Sequence, residues 1–141
     1  MKKRVFSVVT IICFCISFIG WHFKDDKQES IARGEKLYQL YCLTCHQKSG
    51  NGVPHMNPPL VKTSYVEGDK KKLITWVLKG STENIPIDGK AYSNNMPAQN
   101  YLKDQQIADV LTYVRSSFGN SGDVVTPGDV KEIRAAIKKQ K

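Results

Sequence analysis

The sequence predicts an all-α fold in which a few helices are separated by long loops. Apolar residues recur at helical spacing in several segments, and capping signals stand at the ends of these segments. No segment shows the alternation of apolar and polar residues that is typical of a half-buried β-strand. The length of 141 residues allows one domain of ordinary size and a short appendage.

The first 23 residues form a segment of different character. Basic residues stand at its start, and residues 5–23 carry no charged side chain. Because a membrane-spanning helix needs about 17–25 apolar residues, this stretch suffices for a short span, and Trp21 suits its interfacial end. The preceding positive charges predict a cytoplasmic N-terminus and an exported domain. We therefore predict a membrane anchor over residues 1–23, with a signal peptide as the alternative, and a polar linker over 24–29.

The main domain, predicted over residues 30–122, begins with two helical patterns. The first runs from about Ser30 to Cys42 and has apolar residues on one side. The second follows Asp69, a suitable N-cap, and stops at Gly80. The apolar positions of these two helices are Ile31, Leu37, Tyr38, Tyr41, Leu73, Ile74, Val77 and Leu78.

Two more helices are predicted towards the C-terminus. The third spans about Lys103 to Phe118 and carries a continuous apolar stripe that would face a core. A fourth, short helix begins at Thr126, where an N-cap is followed by proline and by an acid at the third position; it belongs to a C-terminal extension over residues 123–141. A helical domain of about 110 residues has little core of its own, so we expect a further group to help hold it together. The stripe of the third helix consists of Ile107, Val110, Leu111, Val114 and Phe118.

The segment that carries chemistry is Cys42-Leu-Thr-Cys45-His46. Two thiols three residues apart, directly followed by a histidine, are the signature of covalent haem attachment. On adjacent helical turns, Cys42 and Cys45 can reach the two vinyl groups at one edge of a porphyrin, while His46 directs its imidazole to the iron. The predicted cofactor is therefore one covalently attached haem c, and export fits because this attachment is made outside the cytoplasm.

Two other interpretations of this cluster remain possible on sequence grounds. A structural zinc site needs four ligands, and His55 would be a weak fourth beside the two thiols and His46. A thioredoxin-like thiol pair needs a βαβ context, which the helical pattern does not provide.

The second axial ligand of the iron is predicted to be Met96. This residue stands in a polar loop, away from any helical stripe, and the following Pro97 would stiffen that loop. Ligation by histidine and methionine closes both axial positions and suits outer-sphere electron transfer. The other candidates are Met56, His55, Tyr65 and Tyr92.

The segment from Ile31 to Phe118 resembles a class I c-type cytochrome, in particular the single-haem domains that serve periplasmic dehydrogenases and membrane oxidases. The resemblance implies a cytochrome c-like fold, in which three core helices and a short C-terminal helix surround one covalently bound haem. It also implies that Gly34 lets Tyr113 approach where the first and last core helices cross. The matching features are Gly34, Tyr38, Cys42 to His46, Gly50 to Gly52, Asn57 to Leu60, Tyr92 to Ala98 and Ile107 to Arg115.

Several residues around the haem have predicted roles, of which the first is implied by the same resemblance. A proline carbonyl, from Pro58 or Pro59, would accept the N–H of the proximal histidine. Trp76 is either a packing residue or a donor to a haem propionate, and Tyr92 either orients the methionine loop or belongs to the core. Lys103 occupies a position where a serine cap is common, which costs some helix stability.

Three neighbouring lysines, Lys70, Lys71 and Lys72, form either a solvated face or a docking site for an acidic patch on a redox partner. Their position at a helix N-terminus disfavours cations, so helix stability does not explain them. The net charge of +8, from 21 basic and 13 acidic residues, is not accompanied by a nucleic-acid motif. We therefore expect protein and membrane partners, and no nucleic acid.

The function predicted from these features is electron transfer without enzymatic activity. The protein would be tethered to a bacterial-type cytoplasmic membrane, with its haem domain on the periplasmic face. It would carry electrons from a dehydrogenase or respiratory complex to an acceptor such as a terminal oxidase. The alternative is a haem enzyme or a gas or redox sensor with an open distal site.

Overall fold

The computed structural model describes residues 26–81 and 86–140, and this part of the chain contains six helices. β-Pairing within the same residues is limited to isolated bridges, so the all-α prediction is confirmed there. The predicted anchor over residues 1–23 lies outside the described residues, and none of the helices described is long and apolar enough to cross a membrane. The helices are α1 (residues 26–41), α2 (Leu43–His46), α3 (Ser64–Glu67), α4 (Lys70–Lys79), α5 (Asp104–Ser116) and α6 (Pro127–Lys139).

Local capping signals fix the bounds of α4 and α6. The Asp69 carboxylate accepts a hydrogen bond from the Lys71 N–H at 2.8 Å, and α4 ends at Gly80, as predicted. At the start of α6, the Thr126 hydroxyl accepts from the Asp129 N–H while the Asp129 carboxylate accepts from the Thr126 N–H. This reciprocal pair is the predicted capping arrangement.

The first helix differs from its predicted bounds at both ends. It already includes residues 26–29, which were predicted as linker, and it ends before Cys42. Cys42 forms a turn and then caps α2, so that Cys45 and His46 lie on a separate short helix. The break at Cys42 was not predicted because α2 has only four residues, too few to show an apolar periodicity in the sequence.

The third predicted helix is shorter than its pattern. α5 ends at Ser116, and Phe118 adopts a positive φ of 58°, which takes it out of the helix. Lys103 is the N-cap residue of α5, but its ammonium group cannot accept a hydrogen bond from the helix. The Gln106 side chain accepts one from the Lys103 N–H at 2.9 Å. The remaining stripe residues, Ile107, Val110, Leu111 and Val114, are at most 4% exposed.

Helices α1 and α5 cross in direct backbone contact at Gly34. A Cβ atom at this position would lie 2.1 Å from the Asp109 carbonyl oxygen and 2.7 Å from the Tyr113 Cβ. Only glycine permits this approach. The implied contact between Gly34 and Tyr113 is thus present, and the closest neighbour of Gly34 is the backbone of Asp109.

A buried carboxylate joins the same two helices. Asp109, 2% exposed, accepts hydrogen bonds from Ser30 Oγ at 2.7 Å, from Arg33 Nε at 2.8 Å and from Gln105 Nε2 at 3.0 Å. Burial raises the pKa of Asp109, but these hydrogen bonds outweigh it and lower the pKa below its ordinary value. The charged carboxylate is therefore the form that holds α1 against α5.

Candidate functional site

In the described part of the chain, the helices and the loops between them line a large cavity that opens to solvent. The walls come from α2, from the loop after it, from α4 and α5, and from the loop between these two helices. All the residues predicted to bind or surround the cofactor line this cavity: Cys42, Cys45, His46, Pro58, Pro59, Trp76, Tyr92 and Met96.

The two thiols lie on one wall of the cavity and differ in exposure. Cys45 is exposed, whereas Cys42 is half-buried. Burial, with a smaller effect of Cys45, raises the pKa of the Cys42 thiol to about 11. Cys42 is thus the inner and Cys45 the outer of two thiols separated by one turn of helix.

The His46 ring is oriented by a backbone carbonyl. Its Nδ1 lies 3.0 Å from the carbonyl oxygen of Pro58, while no contact of this kind is formed by Pro59 in the part of the chain described. Because a carbonyl can only accept, Nδ1 carries the proton and the lone pair is on Nε2. Burial lowers the pKa of the imidazole, and the bond to Pro58 acts in the opposite direction. The side chain is therefore suited to metal ligation through Nε2.

Met96 lines the cavity from a loop that is attached to α4. The Ser81 N–H donates to the Met96 carbonyl at 2.8 Å, and the Gln99 N–H donates to the Val77 carbonyl at 2.8 Å. Gly80 makes this attachment possible, because a Cβ there would lie 2.4 Å from the Met96 carbonyl oxygen. The methionine is half-buried, and its loop is held along its backbone on both sides of the side chain.

A second set of contacts joins the methionine loop to the loop that follows His46. The Ser93 N–H donates to the His55 carbonyl at 2.9 Å, and the Asn94 N–H donates to the Met56 carbonyl at 3.0 Å. The Asn94 side chain also donates to Asn57 Oδ1 at 2.8 Å. We call these three bonds the loop clasp. His55 and Met56, both exposed, contribute to it through their carbonyl groups.

Aromatic side chains complete the cavity on the side of α4. The rings of Tyr65 and Trp76 pack at a centroid distance of 4.9 Å, and both line the cavity together with Tyr92. Tyr65 was considered only as a weak ligand candidate, and in the structure it is a ring partner of Trp76.

Two of the three lysines predicted to dock a partner are engaged within the chain. Lys70 Nζ lies 2.9 Å from the Asp129 carboxylate, and Lys71 Nζ lies 3.3 Å from that of Glu132. Both acidic residues belong to α6, so these lysines attach the C-terminal helix to α4. Lys72 is exposed.

Several residues that support the cavity carry no signal in the sequence. Asn120 accepts from the Lys62 N–H at 2.7 Å and donates to the carbonyls of Leu60 and Val114 at 2.9 and 2.7 Å, which connects the loop after His46 to α5. Arg115 is 3% exposed and donates to the carbonyls of Val66, Gly68 and Asp123. Each is an isolated polar residue, and only the folded chain shows what it contacts.

The donor set of the cavity fits a covalently attached haem. Two thiols three residues apart and an imidazole with a fixed tautomer stand on one side, and a thioether sulfur lines the same cavity from another loop. A four-ligand zinc site is not indicated, since no group of three or more histidine, cysteine or acidic residues that could hold a metal ion occurs among the described residues.

Comparisons with known proteins agree with this assignment. The family model "Cytochrome c" matches residues 31–118. The chain is 34% identical to cytochrome c-552 of Thermus thermophilus over 113 residues, which cover 74% of this chain and 86% of that protein. It is also 36% identical to the fructose dehydrogenase cytochrome subunit of Gluconobacter japonicus over 110 residues, and 30% identical to the cytochrome c subunit of alcohol dehydrogenase (quinone) of Gluconobacter oxydans over 103 residues. These matches cover 74% and 72% of this chain, but only 22% of each dehydrogenase subunit.

The chain therefore belongs to the cytochrome c family. It is an electron-transfer cytochrome with the cytochrome c fold, and its cofactor is covalently bound haem c.

Proposed function

We propose that this cytochrome is a single-haem carrier whose iron is ligated by His46 and Met96 and whose haem is bonded to Cys42 and Cys45. The observation that carries the proposal is that these four side chains line one cavity, with the His46 ring held by Pro58. When bound, the haem supplies an iron that takes up and releases one electron. The protein would hold this iron through Nε2 of His46 and the sulfur of Met96.

The proposed ligation makes this a carrier and not an enzyme. With His46 and Met96 both holding the iron, the haem would have no open ligand position for oxygen, peroxide or a substrate. The attachment of the Met96 loop to α4 and the loop clasp both oppose its opening. A haem enzyme or gas sensor would instead need an open or easily opened distal side.

The partners we propose are a dehydrogenase or respiratory complex as donor and a terminal oxidase or similar complex as acceptor. Support comes from the names of the relatives, which include cytochrome subunits of three different dehydrogenases. Residues 1–23 would tether the protein to the cytoplasmic membrane, with the domain over residues 30–122 and its extension over 123–141 on the periplasmic side.

Partner contact is proposed at the mouth of the cavity. Tyr41 lines the cavity together with Cys45 and is 42% exposed, and its ring lies 6.0 Å from that of Tyr101, which is 63% exposed. Apolar groups near the attachment site allow close approach of a partner to the cofactor edge. Of the three lysines, Lys72 remains available for an acidic partner, because Lys70 and Lys71 bind α6.

The first experiment is an optical spectrum of the purified full-length protein, after denaturing extraction of non-covalent haem. We expect the haem to stay with the chain and the oxidised form to show the weak far-red band of iron–sulfur ligation. Haem without this band would overturn the role of Met96 and favour the enzyme or sensor. Separately, membrane fractionation and the mass of the mature N-terminus test the tether, since a cleaved or soluble form would overturn it.

A further inference from the structure

The C-terminal helix α6 lies beyond the segment that the cytochrome c family model matches, yet it is integrated into the domain. Val130 is fully buried, and Ile133 and Ile137 pack against the core. Two ion pairs, from Lys70 to Asp129 and from Lys71 to Glu132, attach α6 to α4. These contacts account for the position of the helix on the domain. They do not account for the contacts of its one arginine.

Arg134 binds the segment that connects the methionine loop to α5. Its Nε donates to the Asp104 carboxylate, its Nη1 to the Asn100 carbonyl and its Nη2 to the Leu102 carbonyl, each at 2.7 Å. The planar guanidinium thus joins three acceptors within five residues. This is a geometry that the single ammonium of lysine cannot reproduce.

The bound segment begins four residues after Met96. Upstream, the loop is fixed to α4 by the bonds of Met96 and Gln99 described above. Downstream, Leu102 is 5% exposed and lines the cavity, and its carbonyl is one of the acceptors of Arg134. Loss of the guanidinium would leave two carbonyls without this donor and would weaken the attachment of the downstream end of the loop.

We propose that Arg134 is a positioning residue for the sulfur of Met96 and that α6 serves to keep the distal side of the haem closed. The proposal rests on Met96 as the iron ligand, as given under Proposed function. Hydrogen bonds to a charged group shift a local equilibrium by about tenfold or more. Removing Arg134 should therefore raise the population of the loop-open, sulfur-dissociated form about tenfold.

The test compares Arg134→Met, Arg134→Lys and, as a matched control, Lys70→Met in the full-length protein with its attached haem. Lys70→Met removes an ion pair of the same helix but leaves the bonds to residues 100–104 in place. For each variant we would measure the far-red iron–sulfur band of the oxidised form against temperature, the rate of carbon monoxide binding to the reduced form, and the midpoint of thermal unfolding.

We expect Arg134→Met to bind carbon monoxide about tenfold faster than the wild type and to lose the far-red band at lower temperature, with Arg134→Lys intermediate. Lys70→Met should lower the unfolding midpoint but keep wild-type values of both other quantities. The proposal is wrong if Arg134→Met keeps those values, or if Lys70→Met changes them equally. Should Arg134→Met not fold, Arg134→Lys decides by the same criteria. A wild type without the far-red band would instead overturn the ligand assignment itself.

Discussion

At the scale of single residues, the site depends on side chains whose orientation is set by backbone groups. The Pro58 carbonyl fixes the His46 tautomer, and the Met96 carbonyl fixes the loop that carries the sulfur. Orienting contacts of this kind adjust a metal ligand without touching the metal. Two predictions belong to this scale: one concerns the replacement of Met96, and the other concerns the titration of the buried Asp109 carboxylate.

Replacing Met96 by alanine should open the distal side of the haem. We expect Met96→Ala to fold and to retain its covalent haem, because the thiols and His46 are untouched. It should lose the far-red band, bind carbon monoxide rapidly when reduced, and have a lower reduction potential, since methionine ligation raises it. Spectroscopy and a redox titration measure these changes. Met56→Ala, at an exposed position, is the matched control and should behave as the wild type.

The Asp109 carboxylate should make the protein acid-sensitive. Its pKa is lowered in the folded state by hydrogen bonds from Arg33, Ser30 and Gln105, against the effect of burial. The stabilisation is therefore complete above the unfolded-state pKa of about 4 and is lost as the pH falls towards the lower folded-state pKa. The urea midpoint of the wild type, measured between pH 6 and pH 3, should fall more steeply than that of Asp109→Asn. Equal slopes for the two proteins would contradict this prediction.

At the scale of helices and loops, the sequence was informative wherever the signal is local. Asp69 and Gly80 mark the start and the end of α4, and the residues from Thr126 to Asp129 mark the start of α6. These signals are visible in the sequence because a cap is formed by residues that are neighbours along the chain. The break between α1 and α2 was not predicted, since four residues have no periodicity.

Contacts between distant segments were beyond the reach of sequence patterns. Asn94, Asn120 and Arg134 are polar residues that each donate to an acceptor 32 to 60 positions away in the chain. The proposed ligands could be named from the sequence because their chemistry is rare: two thiols and a histidine in five residues, and a methionine in a polar loop. For Lys70 and Lys71, the sequence showed the positive charges but not their ion-pair partners on α6, Asp129 and Glu132.

The crossing of α1 and α5 should tolerate no side chain at Gly34. We expect Gly34→Ala to destabilise the protein by about 3 kcal/mol, because the new Cβ would overlap the Asp109 carbonyl and force the helices apart. Chemical denaturation of the haem-loaded protein measures the change. Gly128→Ala, where a Cβ meets only the Thr126 hydroxyl at 3.6 Å, is the control and should change stability by less than about 1 kcal/mol. Similar losses for both variants would show that the close crossing is unimportant.

At the scale of the whole molecule, the proposed cofactor cavity borders the hydrophobic core. Apolar residues of α4 and α5, including Leu73, Val77 and Leu111, are buried in the core and also line this cavity. A group that fills the cavity would therefore extend the core. Stability of the fold should depend on the group that fills it.

A chain that cannot attach haem should therefore no longer fold cooperatively. We expect the double variant Cys42→Ser, Cys45→Ser, purified without haem, to show reduced helical circular dichroism and no sharp thermal transition. Cys45→Ser alone, with one thioether left at Cys42, is the control and should retain haem and a cooperative transition at lower temperature. A sharp transition in the haem-free double variant would show that the packing of the chain alone is sufficient.

The loop clasp makes the surroundings of the two proposed iron ligands interdependent. Its bonds between residues 55–57 and residues 93–94 join the loop that follows His46 to the loop that carries Met96. Opening of the methionine loop has to break contacts with the residues that directly precede Pro58, whose carbonyl orients the His46 ring. A change on one side of the proposed haem site would therefore be felt on the other.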